Sequence, residues 1–277
     1  TTPQLNCLSP DGGFKAEITP SAGTILANPA VAQNWYDIEW YQNGILIGAV
    51  QGTEPPETIV SGLETGNYTV IARERTDFGL DGCLSEPNDI NVADGRVFPT
   101  ITANALLDNK NCVGVTPNGG IELTIDGTPT PAAGYDYAWY NGKLNTDPAL
   151  NVANITAPGH TVIDMASGSY LVEVTDQSNN CTSDALFQIN HAPYVISVLS
   201  SDLSLTDQNN CSPVDGDATI LDVQIDGSSA GTAGFTYTWF ESDGVTPIAS
   251  SSTFPNVGTP LVAGDYNVQV LNDASNC

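Results

Sequence analysis

The residues of this chain with the most evident chemistry are six cysteines, which fall two to each of three stretches of similar sequence. We call the first cysteine of each stretch the opening cysteine and the second the closing cysteine. Each opening cysteine follows an Asn, and each closing cysteine ends or follows a turn. The opening and closing cysteines are Cys7 and Cys83, Cys112 and Cys181, and Cys211 and Cys277. No close Cys/His pair offers metal-ligand spacing. Matched cysteines of this kind indicate disulfides made in an oxidising, extracellular compartment.

Two pairing schemes remain open. Pairing within each repeat (Cys7–Cys83, Cys112–Cys181, Cys211–Cys277) is the simplest and is favoured; each loop of about 65–75 residues would contribute roughly 4 kcal/mol. Strand direction favours the alternative, because the two cysteines of a repeat are expected at opposite ends of a sandwich, whereas bridged Cα atoms lie within about 7 Å. End-to-end stacking would then pair Cys7 with Cys181 and Cys112 with Cys277. That scheme leaves Cys83 and Cys211 for neighbours outside this chain.

Asx-rich turns near the cysteines could hold a calcium ion. They span residues 176–180, 207–210 and 272–276, with Asp176, Asp207 and Asp273 as candidate ligands. Ca²⁺ takes six to eight oxygen ligands, and turns that meet at a junction could supply them. Asp and Asn are also the residues that turns use for their own hydrogen bonds, which is the favoured interpretation. Calcium is the one cofactor that the sequence suggests.

Catalytic chemistry is not indicated. Residues 227–231 match the Gly-x-Ser-x-Gly pattern, but they fall between β-strands, whereas that motif needs a strand-to-helix turn. The two histidines, His160 and His191, are far apart in sequence. We therefore predict no catalytic residues and no enzyme activity.

Charge and hydropathy exclude two classes of partner. The 277 residues include 32 acidic and 6 basic side chains, for a net charge of -26, which repels nucleic acid and anionic membranes. No run of 18 apolar residues is present, so no membrane span is predicted.

The elements that position these residues are predicted to be β-strands. Alternating apolar residues are broken by Gly, Pro, Asn and Asp every 8–12 residues, which is typical of a β-sandwich. A Trp followed by another aromatic residue, and a Gly-x-Tyr step further along, recur at a period of roughly 100 residues. That period is long enough for a whole domain. The expected core aromatics are Trp40, Trp139, Trp239, Tyr68, Tyr170 and Tyr266. The Trp residues match the core Trp of an immunoglobulin-like sandwich, and the Tyr residues match its tyrosine corner.

The predicted fold class is therefore all-β, with three tandem immunoglobulin-like modules in an extended array. Module 1 spans residues 1–96, module 2 spans 97–193 and module 3 spans 194–277. Module 3 is expected to lack its last strand, because module 2 continues into a strand after its closing cysteine.

The repeated motifs also resemble a family. An Asn-Cys step, Tyr-x-Trp, Gly-x-Tyr-x-Val and an Asx-rich turn ending in Cys are similar to the repeats of SprB-type adhesins of gliding Bacteroidetes. Residues 174–181 and 270–277 carry the likeness best, whereas the first copy has a longer turn and Ile38 in place of Tyr. The resemblance implies a cell-surface protein exported by type IX secretion, with a role in gliding motility, in the form of an adhesin stalk or fibre. It identifies no receptor.

The leading hypothesis is a non-enzymatic, secreted or cell-surface structural or adhesin protein. Its expected partners are neighbouring repeats, like subunits and an extracellular ligand. One alternative is a glycan- or protein-binding module, or an accessory domain of a secreted hydrolase; Trp35, residues 42–58 and residues 241–257 would then contact the ligand. Another alternative is a filament subunit completed by strand donation.

Overall fold

The computed structural model describes residues 1–18, 36–51, 57–75, 82–129, 134–251, 256–258 and 260–277. Within these ranges the regular structure is β-strand, apart from two single turns of 3-10 helix at Val152–Asn154 and Ser200–Asp202. The all-β prediction is confirmed. No helix in the described part of the chain is long and apolar enough to cross a membrane.

The described part of the first sandwich contains six strands that pair antiparallel. They are β1 (Gly12–Glu17), β2 (Tyr36–Gln42), β3 (Ile45–Gln51), β4 (Glu57–Leu63), β5 (Gly66–Glu74) and β6 (Asn88–Val92). One sheet pairs β1 with β4, and the other has the order β3-β2-β5-β6. A two-residue turn with positive φ at Asn43 (52°) and Gly44 (77°) joins β2 to β3, the backbone that Asn-Gly favours. The core contains Phe14, Ile38, Val60, Leu63, Tyr68, Val70 and Val92.

The second set of sheets follows the same plan. Its strands are β7 (Ile101–Leu107), β8 (Gly119–Ile125), β9 (Tyr135–Asn141), β10 (Ile155–Thr156), β11 (Thr161–Met165), β12 (Gly168–Asp176) and β13 (Cys181–Ile189). The strand orders are β10-β11-β8-β7 and β13-β12-β9. Among its buried residues are Ile121, Leu123, Ile125, Trp139, Val162, Met165, Tyr170 and Val172.

The third set has shorter strands. They are β14 (Ile196–Ser197), β15 (Leu203–Thr206), β16 (Asp217–Ile220), β17 (Gln224–Ile225), β18 (Ser228–Ser229), β19 (Phe235–Phe240), β20 (Pro247–Ser251) and β21 (Asn267–Asn272). The sheets are β15-β16, β14-β17-β18 and β20-β19-β21. The core cluster contains Ala218, Ile220, Val223, Phe235, Tyr237, Trp239, Val257 and Leu261.

By proximity of Cα atoms the chain divides into two compact units. One comprises residues 1–101, 132–137 and 173–184, and the other comprises residues 102–131, 138–172 and 185–277. The module boundaries at residues 96/97 and 193/194 stay a prediction. We keep the terms module 1, 2 and 3 for those sequence ranges.

Each repeat forms the same tyrosine corner. The hydroxyls of Tyr68, Tyr170 and Tyr266 donate to a backbone carbonyl four residues earlier, at 3.0, 3.0 and 2.8 Å. The acceptors are Glu64, Ala166 and Val262. This bond holds the start of the strand that leads to the closing cysteine.

The three repeated tryptophans differ in burial. Trp139 and Trp239 are buried, whereas Trp40 is partly buried against the first core. The indole N–H of Trp139 donates to the carbonyl of Gly159 at 2.8 Å. A buried indole contributes a large apolar surface, so these positions anchor each sandwich.

Candidate functional site

The structure contains two disulfides among its six cysteines, all of which lie in described ranges. Cys7 is bonded to Cys181, with Cα atoms 5.0 Å apart, and Cys112 is bonded to Cys277, with Cα atoms 5.2 Å apart. Each bond joins the opening cysteine of one repeat to the closing cysteine of the next. Each bond also lies within one compact unit. Cys83 and Cys211 are exposed and take part in neither disulfide.

The favoured within-repeat pairing was therefore wrong, and strand direction is the reason. In the first repeat, the side chain of Gln4, near Cys7, accepts a hydrogen bond from the Thr65 N–H just before β5. The carbonyl of Cys83 accepts one from the Glu74 N–H at the far end of β5. Nine residues of strand rise about 27 Å, whereas bridged Cα atoms must lie within about 7 Å.

The opening cysteine sits on a turn that is built the same way in all three repeats. One side-chain oxygen, from Asp11, Asn118 or Asp215, accepts the backbone N–H groups of the two residues before the cysteine. The distances are 2.7 and 3.1 Å in the first repeat, 2.7 and 3.3 Å in the second, and 2.7 and 2.8 Å in the third. These bonds fix the backbone that presents the thiol.

The same bonds shift two acid pKa values. The N–H groups of Asn6 and Leu5 hold the pKa of Asp11 below its ordinary value, and those of Asn210 and Asn209 do so for Asp215. A carboxylate that accepts backbone N–H bonds favours its charged form, so both turns are built around an ionised acid near neutral pH.

The closing cysteine ends a second recurrent turn, seen at 176–181 and at 272–277. The residue before the cysteine, Asn180 or Asn276, has positive φ (56° and 55°), a backbone that Asn tolerates better than most residues. Its N–H donates to the carbonyl four residues earlier. The turn therefore fixes the backbone on either side of the closing cysteine.

Opening and closing turns contact each other through the backbone as well as through sulfur. The N–H of Cys7 donates to the carbonyl of Asn179 at 2.8 Å, and the N–H of Cys112 donates to the carbonyl of Ser275 at 2.8 Å. In both cases the acceptor lies two residues before the closing cysteine. The same geometry at both disulfides shows one repeated type of junction.

Asparagine amides add a further bond at each junction. The Asn179 amide donates to the carbonyl of Val97 at 2.8 Å, and the Asn276 amide donates to the carbonyl of Val113. These acceptors are main-chain groups in the linker after the first repeat and beside the opening cysteine of the second. Each closing turn is therefore held by side-chain, backbone and covalent bonds.

The Cys112–Cys277 junction also has an ion pair nearby. The Lys110 ammonium lies 3.0 Å from a carboxylate oxygen of Asp226, in the turn between β17 and β18, and 4.9 Å from the ring centre of Tyr194. The hydrogen bond with Asp226 raises the pKa of Lys110. Both charged side chains are over 40% exposed, so solvent screens most of their attraction.

The candidate calcium ligands take part in turn hydrogen bonds. Asp176 accepts the Ser178 N–H at 2.8 Å, and Asp273 accepts the Thr236 hydroxyl at 2.6 Å. The carbonyl of Asp207 accepts from the Asn209 amide at 3.0 Å. Among the described residues no group of three or more His, Cys, Asp or Glu side chains converges as a metal site. Calcium binding at these turns stays a prediction.

The other candidate positions include strands and an isolated bridge. Trp35 is outside the described residues. Residues 42–58 include strand β3, and residues 241–257 include strand β20, so neither range is a single open loop. The Gly-x-Ser-x-Gly match places Ser228–Ser229 in strand β18, after a turn at Asp226 and Gly227, where no helix follows. His191 forms an isolated parallel bridge with Asn109.

Sequence reasoning missed the residues that hold the junctions together. An Asx residue precedes the glycine of each opening turn, as Asp11, Asn118 and Asp215, and none of the three was predicted as a functional residue. That recurrence was the available signal. Nothing in the sequence identified Asn179 and Ser275 as the acceptors for the opening cysteines.

Comparison with known proteins gives no family. No protein-family model and no curated protein matches the chain. Among solved structures it is similar to three N-terminal domains of the highly immunogenic outer capsid protein (Hoc) of bacteriophage RB49. That match has 15% identity and a TM-score of 0.33, and covers 97% of this chain and 86% of the other.

Two further matches are weaker. Domains 7, 8 and 9 of the S-layer protein SbsC match with 15% identity and a TM-score of 0.29, covering 89% of this chain and 78% of the other. The fibronectin(III)-like modules of CbhA from Clostridium thermocellum match with 14% identity and a TM-score of 0.24, covering 69% and 90%. Identities and TM-scores this low add nothing to what the sheets of this chain already show.

Proposed function

We propose that this chain is a non-enzymatic segment of an extracellular or cell-surface stalk, built from three immunoglobulin-like modules whose junctions are covalently clamped to bear load. The observation that carries the proposal is the pairing of each opening cysteine with the closing cysteine of the following repeat. Disulfides persist in oxidising compartments, which supports the extracellular location.

The two disulfides shorten the covalent path through the chain. A force applied between Cys7 and Cys277 can pass from Cys7 to Cys181, back along the chain to Cys112, and across to Cys277. That path contains the 69 residues from Cys112 to Cys181, whereas the chain itself contains 270. At about 3.5 Å per residue the taut path measures about 240 Å, against about 950 Å without the bonds.

The remaining chain carries no tension until a bond breaks. Residues 8–111 and 182–276 lie off the shortest path, so stretching can extend only the middle segment between its two cysteines. Under load, a stalk of this kind extends by a limited length and then resists further extension. The net charge of -26 keeps neighbouring stalks apart and soluble.

The type of surface protein is inferred from the sequence resemblance. We propose that the chain belongs to an SprB-type adhesin exported by type IX secretion, with like repeats as its immediate partners. The shared motifs and the clamped junctions support a stalk role.

Single-molecule stretching between tags at the two termini tests the load path. The oxidised chain should reach a full extension of about 240 Å between Cys7 and Cys277, and the reduced chain should reach about 950 Å. Cys112→Ser should lengthen the oxidised path to the 96 residues from Cys181 to Cys277, or about 340 Å.

Cys211→Ser is the matched control. Because Cys211 lies outside both disulfides, this variant should stretch like the parent. Under within-repeat pairing the parent would extend to a similar length, but Cys211→Ser would add 66 residues, or about 230 Å. An increase of that size would contradict the proposed load path.

A further inference from the structure

Three Asn-Gly steps occur in the sequence, at residues 43–44, 118–119 and 141–142. Such a step can modify itself. The Gly backbone nitrogen loses its proton and bonds to the Asn Cγ, the Cγ–Nδ2 bond breaks, and ammonia leaves with that proton. Water then opens the resulting succinimide ring at either carbonyl, which gives aspartate or isoaspartate. Glycine favours the reaction because it has no side chain to hinder the close approach of its backbone.

The first Asn-Gly step is open to this reaction. Asn43 and Gly44 form the exposed two-residue turn between β2 and β3. None of the described residues hydrogen-bonds the Asn43 side chain or the Gly44 N–H. A Cβ on Gly44 would meet no atom within 4 Å. The amide carbon and the attacking nitrogen are therefore both unobstructed.

The second Asn-Gly step is held in the opening turn of module 2. The side-chain oxygen of Asn118 accepts the N–H groups of Lys110 and Asn111 at 2.7 and 3.3 Å. Gly119 is buried at the start of β8, where a Cβ would lie 2.6 Å from the carbonyl of Met165. The Asn118 side chain would have to release both N–H groups before its Cγ could reach the Gly119 nitrogen. We therefore expect the fold to protect Asn118.

The third Asn-Gly step lies beside a fixed carboxylate. A Cβ on Gly142 would collide with the Asp147 carboxylate. That carboxylate accepts the N–H groups of Lys143 and Leu144 at 2.7 and 2.9 Å, which hold it in place. A nearby negative charge disfavours loss of a proton from the Gly142 nitrogen, and the reaction needs that loss. Asn141 should therefore react more slowly than Asn43.

We propose that Asn43 is a site of spontaneous modification, at which the folded chain converts its Asn-Gly step to aspartate and isoaspartate through a succinimide. Water is the only co-reactant. Isoaspartate adds one methylene to the backbone of a turn whose two-residue length sets the pairing of Gln42 with Ile45. The modified hairpin therefore loses pairing between β2 and β3. Either product also adds a negative charge to the turn.

Incubation of the folded, oxidised chain at about pH 8.5 and about 37 °C tests the proposal. Peptide mapping by mass spectrometry should show Asn43 converted at least about tenfold faster than Asn118, with Asn141 between them. In guanidinium, where the fold is lost, the three steps should convert at similar rates. Equal conversion of Asn43 and Asn118 in the folded chain would overturn the proposal. A folded-chain rate at Asn43 below about a tenth of its rate in guanidinium would also overturn it.

Hydroxylamine identifies the intermediate, because it cleaves the succinimide. On a reducing gel, the treated folded chain should appear mainly as residues 1–43 and 44–277. Asn43→Gln should remove this cut, since a longer side chain does not form the five-membered ring, whereas Asn141→Gln is the matched control and should keep it. A cut that persists in Asn43→Gln would overturn the proposal.

Hydrogen exchange measures the effect on the hairpin. The purified isoaspartate form should exchange its amides at Ile45 and Leu46 faster than the parent chain, while exchange along β6 stays unchanged. Unchanged exchange at Ile45 and Leu46 would overturn the loss of pairing between β2 and β3.

Discussion

Removal of the Cys112–Cys277 disulfide should destabilise the chain strongly. The double variant Cys112→Ser/Cys277→Ser opens a loop with a sequence separation of 165 residues. The chain-entropy relation gives about 5 kcal/mol at 25 °C for a loop of this length. The two inter-turn hydrogen bonds at this junction are held in place by the disulfide, so part of their contribution should be lost with it.

The measurement is urea unfolding of oxidised protein, followed by tryptophan fluorescence and near-UV circular dichroism. We expect the free energy of unfolding of the double variant to fall by roughly 3–5 kcal/mol relative to the parent. Cys211→Ser should change it by less than about 0.5 kcal/mol, because the residue is exposed and outside both bonds. A loss below about 1 kcal/mol in the double variant would refute the reasoning, as would an equal loss in Cys211→Ser.

Three further results are expected. Ile189→Ala should cost about 2–5 kcal/mol in urea unfolding, since the side chain is fully buried, whereas Leu186→Ala on the exposed face should cost under about 0.5 kcal/mol. The Arg96 guanidinium holds the pKa of Asp94 at about 2, below its ordinary 3.8. The ionised Asp94 therefore stabilises the folded chain above pH 3.8, and this contribution is lost as the pH falls towards 2. Asp94→Asn should flatten that part of an acid-unfolding curve. Finally, Cys211 in the folded, oxidised chain should react with a maleimide within minutes, and protection of that thiol in a peptide map would contradict its exposure.

Much of the fold could be predicted because its signals are local. Alternation in β8, whose residues 119–125 are buried on one face, follows directly from the period of two in a strand. The tyrosine corner was also predictable, since it joins residues only four positions apart. Such contacts need no knowledge of how one module meets the next.

The cysteine pairing could not be settled in the same way. It depends on contacts between residues 165 and 174 positions apart, which no local pattern specifies. The strand-direction argument did identify the right partners, because it considered which end of the sandwich each cysteine occupies. The simpler within-repeat scheme was wrong because the two ends of a nine-residue strand are too far apart for one disulfide.

The candidate site was predictable only in outline. The turns at Asp176 and Asp273 were identified as places of unusual composition, and both carry closing cysteines that form disulfides. Their Asx side chains hydrogen-bond the turns themselves, which the bare composition does not distinguish from ligation of a cation.

The covalent load path runs through strands that are deeply buried in the described part of the chain. Ile121, Leu123 and Ile125 in β8 and Val162 in β11 are exposed by 1% or less, and all lie between Cys112 and Cys181. Under tension this middle segment must resist extension, whereas the segments on either side are relieved of load by the disulfides. In module 3, which lies off the path, Val268 and Val270 are only partly buried. The side chains with the least exposure thus lie on the load path, as the proposed stalk role requires.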